Sequence, residues 1–290
     1  DGGGKHGSQQ RDPRPRLLAI AQCITALHQL FGTSQRFIQI HQRQAIPANT
    51  DPESSIDIVV CTTGKQHLLN DLPIATTLYT HYSTQAEPMM LGFECQAVLR
   101  DRLAEYDYYC FLEDDLILHD PWLFTKLGWF NAQVGDLNLL QPNRYEVSMT
   151  HSVHRCYVDG EIRPRATEAF QNVQEQPILT ATILGKTVRF GRSLNPHSGC
   201  YFLNARQMDH WVRQPHFLDR DTRFIGPLES AATLGIMKTF RIYKPAPEHA
   251  NFLEIQHFGT GFLGLIGSQV SLVGAEGRSP DPSPPPNPNP

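Results

Sequence analysis

Tyr106-Asp107-Tyr108-Tyr109-Cys110-Phe111-Leu112-Glu113-Asp114-Asp115-Leu116-Ile117-Leu118-His119-Asp120 is an aromatic, apolar run that delivers three consecutive acids. Its first part, Tyr108–Leu112, has the continuous apolarity of a buried strand bounded by polar residues. Adjacent carboxylates repel one another and are costly to desolvate at a core edge. A divalent cation or a hydrogen-bonded network is therefore needed to offset them. On an extended chain Glu113 and Asp115 point to one side and Asp114 to the other.

Outward from this stretch, residues 91–103 read as a helix that offers Phe93, Ala97 and Leu103 to a core. On the other side Asp120-Pro121 pairs an N-cap acid with a first-turn proline, so a helix is expected to about residue 130, with Trp122, Trp129 and Phe130 in the core. Nearer the start, Leu17, Ile20, Ile24, Leu27 and Phe31 recur at helical spacing and Gly32 closes the turn. Residues 37–41 form a short alternating strand. Residues 56–61 are the strongest strand of the first half, and Thr62-Thr63-Gly64-Lys65 follows where a parallel strand presents a loop to ligand. That loop lacks the glycines of a P-loop, which excludes an ATPase of that type.

Further strands are expected at 137–141, 187–190, 199–203, 241–244 and 252–255, and an irregular flap at 148–176. Asn204 caps a helix over 205–212, and Gly226-Pro227 opens another that runs to about residue 238. Strands alternating with helices through the first 145 residues predict an α/β fold, with a mostly parallel central sheet and helices on both faces.

The chain's 290 residues suffice for one large domain. Residues 1–15 and 266–290 read as a disordered lead-in and a Pro-rich disordered tail, leaving a single domain over 16–265. A formal charge of -4, from 25 basic and 29 acidic residues without a long run of either, argues against nucleic acid as a partner. No apolar run reaches the ~18 residues a membrane span needs. Cytoplasm is the expected compartment, or the Golgi lumen if an anchor upstream of Asp1 has been lost. The six cysteines have no CxxC spacing and are expected to be reduced and structural.

At Phe111-Leu112-Glu113-Asp114-Asp115 the chain resembles the nucleotide-sugar-dependent glycosyltransferases of the GT-A fold, which carry a short acidic DxD-type signature at the end of a central strand. Residues 91–115 follow that pattern in order and spacing, and the helix from Arg16 resembles the first helix of such domains. The family's first strand should precede that helix; here the region is polar, and residues 56–61 are taken to replace it.

The resemblance implies a metal-dependent transfer of sugar from a nucleoside-diphosphate sugar to a glycan, lipid or protein acceptor. It further implies a nucleotide-binding part over about 16–145 and an acceptor part over about 146–265. Mn²⁺ or Mg²⁺ on Asp115, with Glu113 helping and His257 as a late ligand, would bridge the diphosphate; His249 is the rival histidine. Thr62, Thr63, Gly64, Glu113, Asp114, Arg144 and Arg192 are the expected nucleotide-sugar contacts, and Trp211 is a candidate sugar-stacking residue. Glu229 is the expected general base, ahead of Asp221 and Asp209. The alternatives are a sugar nucleotidyltransferase, whose Gly- and Arg-rich phosphate loop is not visible, and a non-catalytic nucleotide- or sugar-binding relative.

Overall fold

The computed structural model describes residues 12–50, 55–65 and 67–273; most of the expected lead-in and the tail from residue 274 lie outside them. In chain order the elements are α1 (Arg14–Phe31), β1 (Arg36–Gln39), β2 (Gln44–Pro47), β3 (Val59–Thr63), β4 (Thr80–Thr84), α2 (Leu91–Arg100), β5 (Tyr108–Leu112), β6 (Leu116–Ile117) and α3 (Leu123–Val134). There follow β7 (Asn138–Leu140), β8 (Asn143–Val147), β9 (Arg155–Tyr157), β10 (Ile178–Ile183), β11 (Lys186–Gly191), β12 (Cys200–Asn204), α4 (Ala205–Val212), α5 (Pro227–Thr239), β13 (Arg241–Pro245) and β14 (Glu254–His257). Helix α1 begins inside the expected lead-in, with Pro13 at its N-cap and Pro15 in its first turn.

The expected mostly parallel central sheet is not what forms. The described strands make small mixed and antiparallel sheets in the orders β10-β11-β13-β7, β6-β14-β8-β9, β12-β5, β3-β4 and β1-β2. Only β3 with β4, β13 with β7 and β14 with β8 run parallel. Connection length is the reason for the pairs β1–β2, β8–β9 and β10–β11, whereas β5–β12, β6–β14 and β11–β13 are antiparallel pairs between strands far apart in the chain. A parallel neighbour needs a crossover of roughly a dozen residues or more, and the two strands of each hairpin follow one another too closely for that. Strands β10 and β11 are joined only by Leu184 and Gly185, both with positive φ (49° and 75°), the geometry of a tight hairpin. Strand β5 finds its partner in β12, antiparallel, with Leu112 opposite Cys200 and Tyr108 opposite Asn204.

Period-two alternation makes β5 the divider between two cores. Tyr109 and Phe111 enter one, with Tyr201, Met208, Trp211 and the inner residues of α5; Phe111 stacks on Tyr201 at 5.3 Å. Tyr108, Cys110 and Leu112 pack against the other, with Leu116, Leu127, Phe130, Phe190 and Tyr243. The strand is thereby clamped on both faces, which fixes where its acidic end emerges.

Local signals account for the helix ends. Asn204 and Gln207 form a reciprocal capping box on α4. Helix α3 starts at Leu123, later than Asp120-Pro121 predicts, although Asp120 makes the expected cap contact by accepting from the Trp122 N–H (2.9 Å) and also accepts from the Lys126 ammonium (2.6 Å). Trp122 is 64% exposed instead of core. No helix among the described residues is long and apolar enough to cross a membrane. All six cysteines are unpaired.

Candidate functional site

The acids do not continue as an extended strand. The Glu113 N–H still donates to Gly199 O in the β5–β12 ladder (2.9 Å), but the Leu116 N–H then donates to Glu113 O (3.2 Å) and the chain turns. The expected alternation is lost in this turn. Asp114 and Asp115 both face Arg16 in the first turn of α1, Asp114 in a close ion pair and Asp115 at 3.7 Å. Glu113 goes the other way, towards Arg144 at 3.9 Å.

Past the turn, β6 pairs antiparallel with β14, which puts His257 opposite Leu116, and the Phe258 N–H donates to Asp115 O (2.8 Å). This register brings His257 Nε2 to 3.8 Å from Asp115 Oδ2. On its other side His257 Nδ1 lies 3.0 Å from Glu146 Oε1. Glu146 is fully buried and also accepts from the N–H groups of Phe262 (3.2 Å) and Leu263 (2.7 Å). Burial works against the Glu146 carboxylate, but the His257 contact and the two N–H donors prevail and hold its pKa below the ordinary value. An ionised Glu146 can only accept, so Nδ1 carries the proton and Nε2 is presented to Asp115. Burial depresses the His257 pKa while Glu146 and Asp115 raise it, and the net direction is upward.

Behind Glu113 lies a buried ion network. The Arg144 Nε donates to Asp159 (2.9 Å), and the Lys244 ammonium donates to Asp159 (2.9 Å) and to His197 O (2.6 Å). Burial, together with the neighbouring acids, lifts the Glu113 pKa to about 7 despite the opposing pull of Arg144. Asp114 is raised too, by burial first, with Arg16 opposing. Gly199 closes this side with φ of +62°; a Cβ there would lie 2.5 Å from Glu113 Oε2.

The donors suit a hard cation in part. Asp115 Oδ1 is buried without a hydrogen-bond partner, and Asp115 and His257 present oxygen and nitrogen on one side. Among the described residues no group of three or more His, Cys, Asp or Glu is arranged to hold a metal. A cation here would therefore take two protein donors and fill its remaining positions from ligand and water.

The other sequence candidates divide. Helix α2 packs against both β3, which ends at Thr62 and Thr63, and β5, which leads into the acids. The Thr62 hydroxyl is bonded to His81 Nε2 (2.7 Å), the Thr63 hydroxyl is buried without a partner, and Gly64 has φ of 59°. Glu229 lies in the first turn of α5, one turn before Thr233 and on the same helix face. Thr233 bonds His197 Nδ1 (2.9 Å), which ties that face to the loop leading into Gly199.

Arg192 is drawn instead to the flap, where its guanidinium donates to the carbonyls of Asn172 (2.8 Å) and Glu175 (3.1 Å). His249 accepts from the Arg189 N–H (3.2 Å), Asp221 pairs with Arg223 and Lys238, and Asp209 pairs with Arg213. Trp211 is 1% exposed between Tyr201 and Phe217, a core residue with no face for a sugar. Two surface depressions lie away from the acids, one at the start of β5 around Asp107 and Asn204 and one under the flap around Thr167 and Gln171.

Sequence reading missed Arg16, Glu146, Asp159, Lys244 and His197. Arg16 stands four residues before Ile20 of the apolar face of α1, whereas Glu146 and Asp159 become special only through burial that the fold creates. No protein-family model and no curated protein matches the chain.

Proposed function

We propose that the chain is a metal-dependent glycosyltransferase that moves a sugar from a nucleoside-diphosphate sugar to a glycan, lipid or protein acceptor. The observation that carries this reading is the convergence of Asp115 and His257 across the β6–β14 pairing, with the imidazole held by buried Glu146. Such a carboxylate behind a histidine fixes its tautomer and orientation and strengthens it as a ligand.

Asp115 and His257 would hold Mn²⁺ or Mg²⁺, which when bound neutralises charge developing on a departing diphosphate. Glu113, kept in place by Gly199 and Arg144, lines the same turn and is suited to accept hydrogen bonds from donor hydroxyls. Arg144 is held by its Nε donation to Asp159 and sets its Nη1 3.9 Å from Glu113, so it would act on the donor beside that carboxylate. Thr63 would offer its unpartnered hydroxyl to the nucleoside end, and Gly64, whose N–H and C=O are bonded to Thr84 and Ser83, would fix the turn beside it. In an inverting transfer Glu229 would take the acceptor hydroxyl proton as the acceptor oxygen bonds the anomeric carbon and the diphosphate leaves.

A second reading, a nucleotide- or sugar-binding relative without transferase activity, draws support from Arg16, whose guanidinium already neutralises Asp114. Incubation of the protein with UDP- and GDP-sugars and Mn²⁺ separates the two. Release of free sugar that is lost in Asp115→Asn supports the transferase. Metal-dependent nucleotide binding with no donor turnover supports the relative, and absence of both removes the proposal.

A further inference from the structure

We propose that the β1–β2 hairpin is a docking wedge for anionic lipid surfaces. This inference stands apart from the transferase reading and rests on a different part of the molecule. The hairpin leaves Phe37, Ile38 and Ile40 at 64%, 67% and 80% exposure, and Ile46 at 37%. The register sets Phe37 opposite Ile46 and Ile38 opposite Ala45, so apolar side chains occupy both faces of the ribbon. Ile40 lies in the tight turn Ile40–Gln42 at the tip.

This distribution selects the occupant. A protein groove, or a second copy of the chain, would cover one face of a two-stranded ribbon and leave the other wet. A lipid interface surrounds both faces and the tip together. Charge points the same way. Residues 32–50 contain Arg36, His41 and Arg43 and not one Asp or Glu, in a chain whose formal charge is -4. Arg36 donates to the Gln35 carbonyl (2.9 Å), leaving its positive charge unpaired by a carboxylate in this contact, and Arg43 stands at the turn with φ of 52°. The outer edges of a two-stranded ribbon carry unpaired backbone groups, so the wedge can enter the headgroup region but not the hydrocarbon core.

The test is flotation of the full chain with phosphatidylcholine vesicles, with and without phosphatidylserine, at low and high salt. Because the residues are exposed, Phe37→Ser/Ile38→Ser/Ile40→Ser should fold, which circular dichroism and an unchanged melting temperature verify. Arg36→Gln/Arg43→Gln probes the charge separately. Binding to phosphatidylserine vesicles is expected, weakened about tenfold or more by the triple change and roughly fivefold per Arg by the other. No flotation of the parent chain, or flotation unaltered by both variants, overturns the proposal. A dimer in sedimentation that the triple variant dissolves, without vesicle binding by the parent, reassigns the hairpin to self-association.

Discussion

Glu113 is held between Gly199, which lies against its carboxylate, and Arg144 at 3.9 Å. Gly199→Ala must therefore move Glu113 and adopt a left-handed backbone at φ of +62°, and a loss of about 1–3 kcal/mol in urea unfolding is expected. The pH dependence follows from linkage. Glu113 titrates at about 7 when folded against an ordinary 4.5, so between these values the folded state keeps a proton that the unfolded chain has released. Its contribution to stability is full below 4.5, falls as pH rises, and is lost above 7. Glu113→Gln should match the parent below that interval and exceed it by about 1–3 kcal/mol above it, in melts taken across pH. Glu146→Gln keeps the size but removes the carboxylate that orients His257, and Mn²⁺ affinity by calorimetry should drop about 10–100-fold.

At the scale of elements, the capping box and the buried ion network make separate predictions. Asn204→Ala removes the acceptor that opens α4 and should cost about 1 kcal/mol in chemical denaturation. Lys244→Met leaves Asp159 with Arg144 alone in a buried setting, and a loss of about 3 kcal/mol is expected by the same measurement. Elements with strong local signals were legible in the sequence: α1, α4 and α5 from periodicity, caps and first-turn proline, and β5 from its apolar run. Strands β4, β8 and β10 were not. Thr80–Thr84 is largely exposed and polar, Asn143–Val147 buries Arg144 and Glu146 where a strand core is usually apolar, and Ile178–Ile183 has one exposed face and follows a polar flap.

For the whole molecule, pairing was harder to read than element type. Alternating strands and helices suggested a parallel sheet, yet β1–β2, β8–β9 and β10–β11 are hairpins too short for a crossover. The pairs β5–β12, β6–β14 and β11–β13 are antiparallel between strands far apart in the chain, which no local pattern encodes. The same pairing decides the candidate site. His257 was nominated from its place after a late strand, but its approach to Asp115 depends on β14 lying beside β6, and its buried partner Glu146 depends on β8 lying on β14's other edge. Arg16 reaches the acids because α1 packs against β6, a long-range contact that no local pattern encodes. The shared cation site is tested most directly by titrating UDP, with and without Mn²⁺, against the parent chain, Asp115→Asn and His257→Ala. Metal-enhanced UDP binding that falls by about tenfold or more in both variants is the predicted result. UDP binding indifferent to Mn²⁺, or unchanged in both variants, would contradict it.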